Sequence, residues 1–139
     1  MLIRQLSIFV ENKLGRLAEV TKILGEAKID IRSLVVSDTT DFGILRLIVN
    51  DTERAHDILK ENGFTVNYTE VVVIGISDEP GSLSKVLEIL GDSGIEVEYM
   101  YAFLGREMGE APAAFRFEDV NKALEVLRKN NLNIITEIL

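Results

Sequence analysis

Two short glycine-centred stretches carry the residues best suited to chemistry. Asp78-Glu79-Pro80-Gly81-Ser82-Leu83 follows a strand-like run and opens a helix-like one; Asn12-Lys13-Leu14-Gly15-Arg16-Leu17 does the same earlier in the chain. A helix N-terminus presents unpaired backbone N–H groups and a partial positive charge. That arrangement suits a carboxylate or another small anion, and a glycine lets a ligand approach the backbone closely. Asp78, or Asn12 in the earlier stretch, has side-chain oxygens that accept hydrogen bonds from an ammonium group. A zwitterionic α-amino acid supplies both partners. Pro80 stiffens its turn by fixing φ, whereas Leu14 stands at that place in the other copy. The competing reading is plain helix capping, with each glycine serving only the backbone.

The two stretches are one element duplicated. Gly15 and Gly81 lie 66 residues apart (81 − 15), and the same offset aligns Leu17 with Leu83, Val20 with Val86, Ile23-Leu24-Gly25 with Ile89-Leu90-Gly91, and Ile29 with Ile95. Such a repeat governs the fold assignment. Later the offset becomes 68 (123 − 55), matching Ala55 with Ala123 and Leu59 with Leu127, so the second hairpin loop is about two residues longer.

The first half reads in order as a strand over 2–10, the glycine turn, and a helix with Leu17, Val20, Ile23, Leu24 and Ala27 inward. A hairpin over 29–49 follows, turning at Asp38-Thr39-Thr40-Asp41. Asp51-Thr52 caps a second helix, Asn62-Gly63 ends it, and 64–68 forms a fourth strand. The second half repeats the order. Its strands fall at 71–77, 95–104, 113–117 and 132–138, with Leu83, Val86, Leu87 and Leu90 inward on its first helix. Val71 to Ser77 is apolar enough for a strand covered on both faces. The expected fold is α+β: two tandem ferredoxin-like βαββαβ domains, 1–69 and 70–139, each an antiparallel sheet with helices on one face. No Pro, Gly or Ser linker interrupts Tyr68-Thr69-Glu70, so rigid docking of the halves is expected.

Composition narrows the function classes. The chain has 139 residues, 47% of them hydrophobic, which is globular in character. There is no cysteine, so disulfides, thiol catalysis and cysteine-ligated zinc are excluded. The net charge is −8, from 15 basic and 23 acidic residues without a basic cluster, so nucleic acid and anionic membrane are poor partners. Met1-Leu2-Ile3-Arg4 enters a strand pattern at once, and no run approaches the roughly 20 apolar residues of a membrane helix. A cytoplasmic protein is expected. Catalytic motifs such as G-x-S-x-G, the P-loop and H-E-x-x-H are absent. His56 is the single histidine and lies beside the buried stripe of the second helix, which favours a structural role. No catalytic residue, cofactor or metal site is expected.

Two more places hold candidates. Tyr99 and Tyr101 share one strand face by alternation, where they line a pocket or an interface. Asp38, Thr39 and Asp41 sit in the first hairpin and are placed to close over a ligand; turn chemistry alone also explains them.

The chain resembles the ACT domain family, small regulatory modules that bind amino acids, usually at interfaces between paired domains. The resemblance rests on Asp78-Glu79-Pro80-Gly81-Ser82-Leu83, on Leu87-Glu88-Ile89-Leu90-Gly91 and Gly94-Ile95-Glu96-Val97, and on Asn12-Lys13-Leu14-Gly15-Arg16-Leu17 with Ala27-Lys28-Ile29-Asp30-Ile31. It is closest to stand-alone tandem forms without a catalytic domain. Leu14 departs from the usual proline and Lys28 from the usual small residue. The resemblance implies amino-acid binding at two turns, one formed by Asn12, Leu14, Gly15, Arg16 and Leu17 and the other by Asp78, Pro80, Gly81, Ser82 and Leu83. It also implies a homodimer and regulation. The alternative is a regulatory subunit or adaptor of an amino-acid biosynthetic enzyme with no small ligand of its own.

Overall fold

A computed structural model describes residues 2–11, 14–38, 42–105 and 109–138, with the side chain of Asp38 outside the description. The elements run β1 (Ile3–Glu11), α1 (Arg16–Glu26), β2 (Ile31–Asp38), β3 (Phe42–Val49), α2 (Thr52–Glu61), β4 (Thr65–Ser77), α3 (Ser82–Asp92), β5 (Val97–Ala102), β6 (Glu110–Phe117), α4 (Val120–Lys129) and β7 (Asn133–Ile135). This is α+β, with the βαββαβ order appearing twice. The chain forms two compact units. The first holds Arg4–Thr69 with Ile138–Leu139, and the second Glu70–Glu137 with Met1–Ile3.

In the first unit the strand order is β2-β3-β1-β4. Leu6, Ile8 and Val10 alternate along β1 and meet Val20 and Leu24 of α1 and Ala55 and Leu59 of α2 in one core. The other face of β1 is not all polar surface: Gln5 is fully buried, and its Nε2 donates to Thr69 Oγ1 at 2.8 Å. Arg4, which interrupts the inward stripe, lies over the Tyr68 ring at 4.8 Å and pairs with Glu53 at 3.4 Å. His56 stacks on the same tyrosine, its ring 4.5 Å from that of Tyr68. Burial raises the Tyr68 pKa above the ordinary tyrosine value, with Arg4 pulling the other way.

The second unit repeats the pattern as β7-β4-β6-β5. Val72, Ile74 and Ile76 of β4 pack with Val86, Leu90, Phe115, Ala123 and Leu127. Val71 and Val73, on the alternate face, are buried too, which accounts for the unbroken apolar run there.

Several boundaries differ from the expected ones. The strands expected at 64–68 and 71–77 are one strand, because nothing in Tyr68-Thr69-Glu70 breaks extended backbone. The closing strand is shorter, Asn133–Ile135. Leu83 and Leu87, expected inside, are 42% and 38% exposed. Only Val86 and Leu90, one turn apart, are buried on α3, and α1 shows the same with Val20 and Leu24.

Candidate functional site

The turn at Gly81 is held by backbone bonds. Asp78 N–H donates to Gly109 O at 3.0 Å, Glu79 N–H to Ser77 O at 2.9 Å, and Ser82 N–H to Glu79 O at 3.2 Å. Gly81 is the N-cap of α3, at φ 89°, and no side chain caps the helix. Ordinary capping looks different in this molecule. Asp51 accepts from Arg54 N–H at 3.3 Å and Asp119 from Lys122 N–H at 3.1 Å, each at the start of its own helix. At Gly81 the N-cap position itself has no side chain to offer. The first-turn amides of Leu83 and Ser84 have no acceptor within the helix, whereas that of Ser82 is taken by Glu79.

A Cβ built on Gly81 meets nothing within 4 Å. The glycine is thus required by its left-handed backbone, and the space outside it is open. Beside the turn lies a cavity of about 210 Å³. Asp78 and Glu79 form its acidic end, and Leu83, Met100, Ala102, Ala111 and Ala113 its apolar wall. Pro80, Gly81 and Ser82 shape the turn without lining this cavity.

Tyr99 and Tyr101 lie elsewhere. In the β5–β6 register Tyr99 opposes Arg116 and Tyr101 opposes Ala114, whereas Met100 and Ala102 oppose the core residues Phe115 and Ala113. The tyrosines therefore occupy the face of β5 away from the cavity. Met100, Ala102, Ala111 and Ala113 were absent from the sequence-derived candidates. The signal available for the first two was the same alternation, read for the residues between the tyrosines.

The turn at Gly15 repeats the backbone. Gly15 is the N-cap of α1, at φ 87°, again without a side-chain cap. Leu14 is fully exposed and Leu17 is 43% exposed. Asn12, Thr39 and Asp41 lie outside the described residues, and Asp38 is described only as the end of β2, opposite Gly43. Arg16 turns toward the start of β4. Its guanidinium carbon stands 4.8 Å from the Phe64 ring centroid, and Nη1 donates to Glu19 Oε2 at 2.8 Å. Among the described residues no cluster of His, Cys, Asp or Glu has metal-holding geometry, and no helix is long and apolar enough to cross a membrane.

The sequence profile of a family described as an ACT domain pair matches residues 1–138. The crystal structure of a protein from Bacteroides thetaiotaomicron is 42% identical, with a TM-score of 0.89, covering 97% of this chain and 92% of that one. The ligand-free regulatory subunit of aspartate kinase from Thermus thermophilus is similar in fold at 14% identity, TM-score 0.63 and 91% coverage of both chains. Its counterpart from Thermus flavus is 14% identical, with a TM-score of 0.58 and coverage of 91% and 90%. No curated protein matches.

Proposed function

The chain belongs to the ACT domain-pair family, and on that premise we propose that it is a regulatory protein that binds a small amino acid. In this reading its domains are 1–69 and 70–139, and it acts by binding, not by catalysis. The cavity beside Gly81 carries the proposal. Asp78 and Glu79 supply carboxylates at one end, suited to the ligand's ammonium group. The free amides at the start of α3 suit its carboxylate. The apolar wall of Met100, Ala102, Ala111 and Ala113 suits a short apolar side chain. The Gly15 turn is the second candidate, with Leu14 and Leu17 exposed around it. Asn12, Asp38 and Thr39 complete that site in this reading.

A homodimer is part of the proposal. Leu34 and Val36, on the edge strand β2, are 37% and 42% exposed although they oppose the core residues Leu47 and Leu45. A second copy covering that edge would remove them from water.

Thermal shift against the twenty amino acids tests the ligand. One amino acid should raise the melting temperature by mass action, and Asp78→Ala should remove the shift. If none does so at millimolar concentration, the amino-acid reading fails and the ligand-free regulatory subunit takes its place.

A further inference from the structure

A second cavity, of about 150 Å³, lies in the first unit where β1 ends and α1 and β4 begin. Phe9, Glu11, Arg16, Phe42 and Phe64 line it. Phe64 is buried, and Phe9 and Phe42 are about half exposed. Glu11 opposes Phe42 in the β1–β3 register. Arg16 lies over the Phe64 ring, and its buried Nε finds no acceptor among the described residues.

The duplication supplies an internal control. Ser77 opposes Glu110 in the second unit as Glu11 opposes Phe42 in the first. By the same alignment Gly75 replaces Phe9, Ser82 replaces Arg16, and Asn133 replaces Thr65. There Asn133 Nδ2 donates to Glu110 Oε2 at 2.8 Å. This pair sits directly over Gly75, where a Cβ would collide with the Glu110 carboxylate and stand 2.9 Å from Asn133 Nδ2. Side chains thus close over this corner in one copy, whereas the other copy surrounds a cavity with aromatic rings. The cavity follows from residue choice and not from the fold.

We propose that this corner of the first unit binds a single-ring aromatic monocarboxylate. The cavity, about 150 Å³ with three phenylalanine rings beside Glu11 and Arg16, has the volume of a benzene-sized ring and a polar mouth. The phenylalanine rings offer offset or edge contacts to such a ring. A guanidinium already placed over Phe64 is preorganised for a carboxylate at the mouth. The carboxylates of Glu11 and Glu19 beside Arg16 admit one negative charge and oppose a second, which disfavours dicarboxylates and phosphates. The site is separate from the cavity at Gly81 and shares Arg16 with the Gly15 turn; it replaces the amino-acid reading of that turn and leaves the reading of the Gly81 cavity untouched.

The test titrates the full chain with phenylacetate and follows backbone amide resonances. Saturable shifts are expected at Glu11, Arg16, Phe64 and Thr65, with the Gly81 turn unmoved. Phenethylamine and L-phenylalanine should bind there more weakly. Arg16→Gln, a partly exposed position, should weaken phenylacetate by at least roughly tenfold, the worth of one charge-assisted hydrogen bond. Phe42→Glu combined with Thr65→Asn and Phe9→Gly should install the closed corner of the second unit and abolish binding. If that triple variant does not fold, Arg16→Gln decides alone. Absence of shifts, shifts confined to the Gly81 turn, or unchanged affinity in Arg16→Gln would overturn the site. L-Phenylalanine binding as tightly as phenylacetate would overturn the ligand class.

Discussion

The two copies agree where the backbone is constrained and diverge where side chains meet solvent. Gly15 and Gly81 take φ of 87° and 89° at matching N-caps. Gly63 and Asn131 both take positive φ just beyond the second helix of their units. Val20 and Leu24 are buried as Val86 and Leu90 are. Yet the corner beside each turn is unlike its counterpart: Phe9, Arg16 and Phe42 on one side, Gly75, Ser82 and Glu110 on the other. Packing and left-handed backbone tolerate few residues, so duplication leaves them alike. A half-exposed strand end tolerates many, so that is where the copies have separated.

The largest effects should fall on the shared core. Leu24→Ala and Leu90→Ala remove equivalent, fully buried side chains, and each should cost about 2–5 kcal/mol in urea unfolding. A several-fold disparity between the two would break the equivalence of the cores. Next comes the closed corner. Gly75→Ala should cost no more than about 0.5–1.5 kcal/mol, because it displaces the far ends of two flexible side chains and their exposed Glu110–Asn133 hydrogen bond. In a Glu110→Ala background the cost should fall close to zero, a coupling that a double-mutant cycle reads directly. At the matching position of the first unit, Phe9→Ala removes a half-exposed ring and should change stability by less than about 0.5 kcal/mol. A large loss there would mean that the ring is structural.

The turns come third. Neither Gly15 nor Gly81 has a neighbour within 4 Å of a built Cβ. Gly15→Ala and Gly81→Ala should therefore cost only the left-handed backbone penalty, about 1–2 kcal/mol each. A much greater loss at either one would reveal packing that the open space around both turns does not suggest.

The duplication made most of the fold legible. Two copies of one pattern fix element order, glycine turns and inward stripes better than one copy can, and the cap Asp51 was readable from residue type alone. The site was less legible because it depends on register and on residues far apart in the chain. A bulge between Val97 and Tyr99 and the alternation after it place Met100 and Ala102, not the tyrosines, beside Asp78. Leu83 and Leu87 match the helical period of a core, yet Leu83 lines a cavity; periodicity tells which face a residue shares but not whether anything covers it. The corner of Phe9, Arg16, Phe42 and Phe64 draws on four separate elements or loops, and no local spacing joins them.

The smallest effect tests how far the copies share backbone strain. Lys28 takes φ 59°, and its counterpart is Gly94 at φ 70°. Both follow the first helix of their units, where Ile29 N–H donates to Leu24 O and Ile95 N–H to Leu90 O, each at 2.9 Å. The closing hydrogen bond is thus made in both, and only the first copy holds a side chain in the left-handed region. Lys28→Gly relieves about 1–2 kcal/mol of strain but restores about 0.4–1 kcal/mol of freedom to the unfolded chain. The net gain should be about 0.5–1 kcal/mol, a rise of a few degrees in melting temperature for a domain of this size. Gly94→Lys should lose a similar amount, since a Cβ there meets only Lys122 Nζ at 3.7 Å. If Lys28→Gly is instead destabilising, the lysine stem contributes packing that outweighs its strain, and the two helix ends are alike in backbone alone.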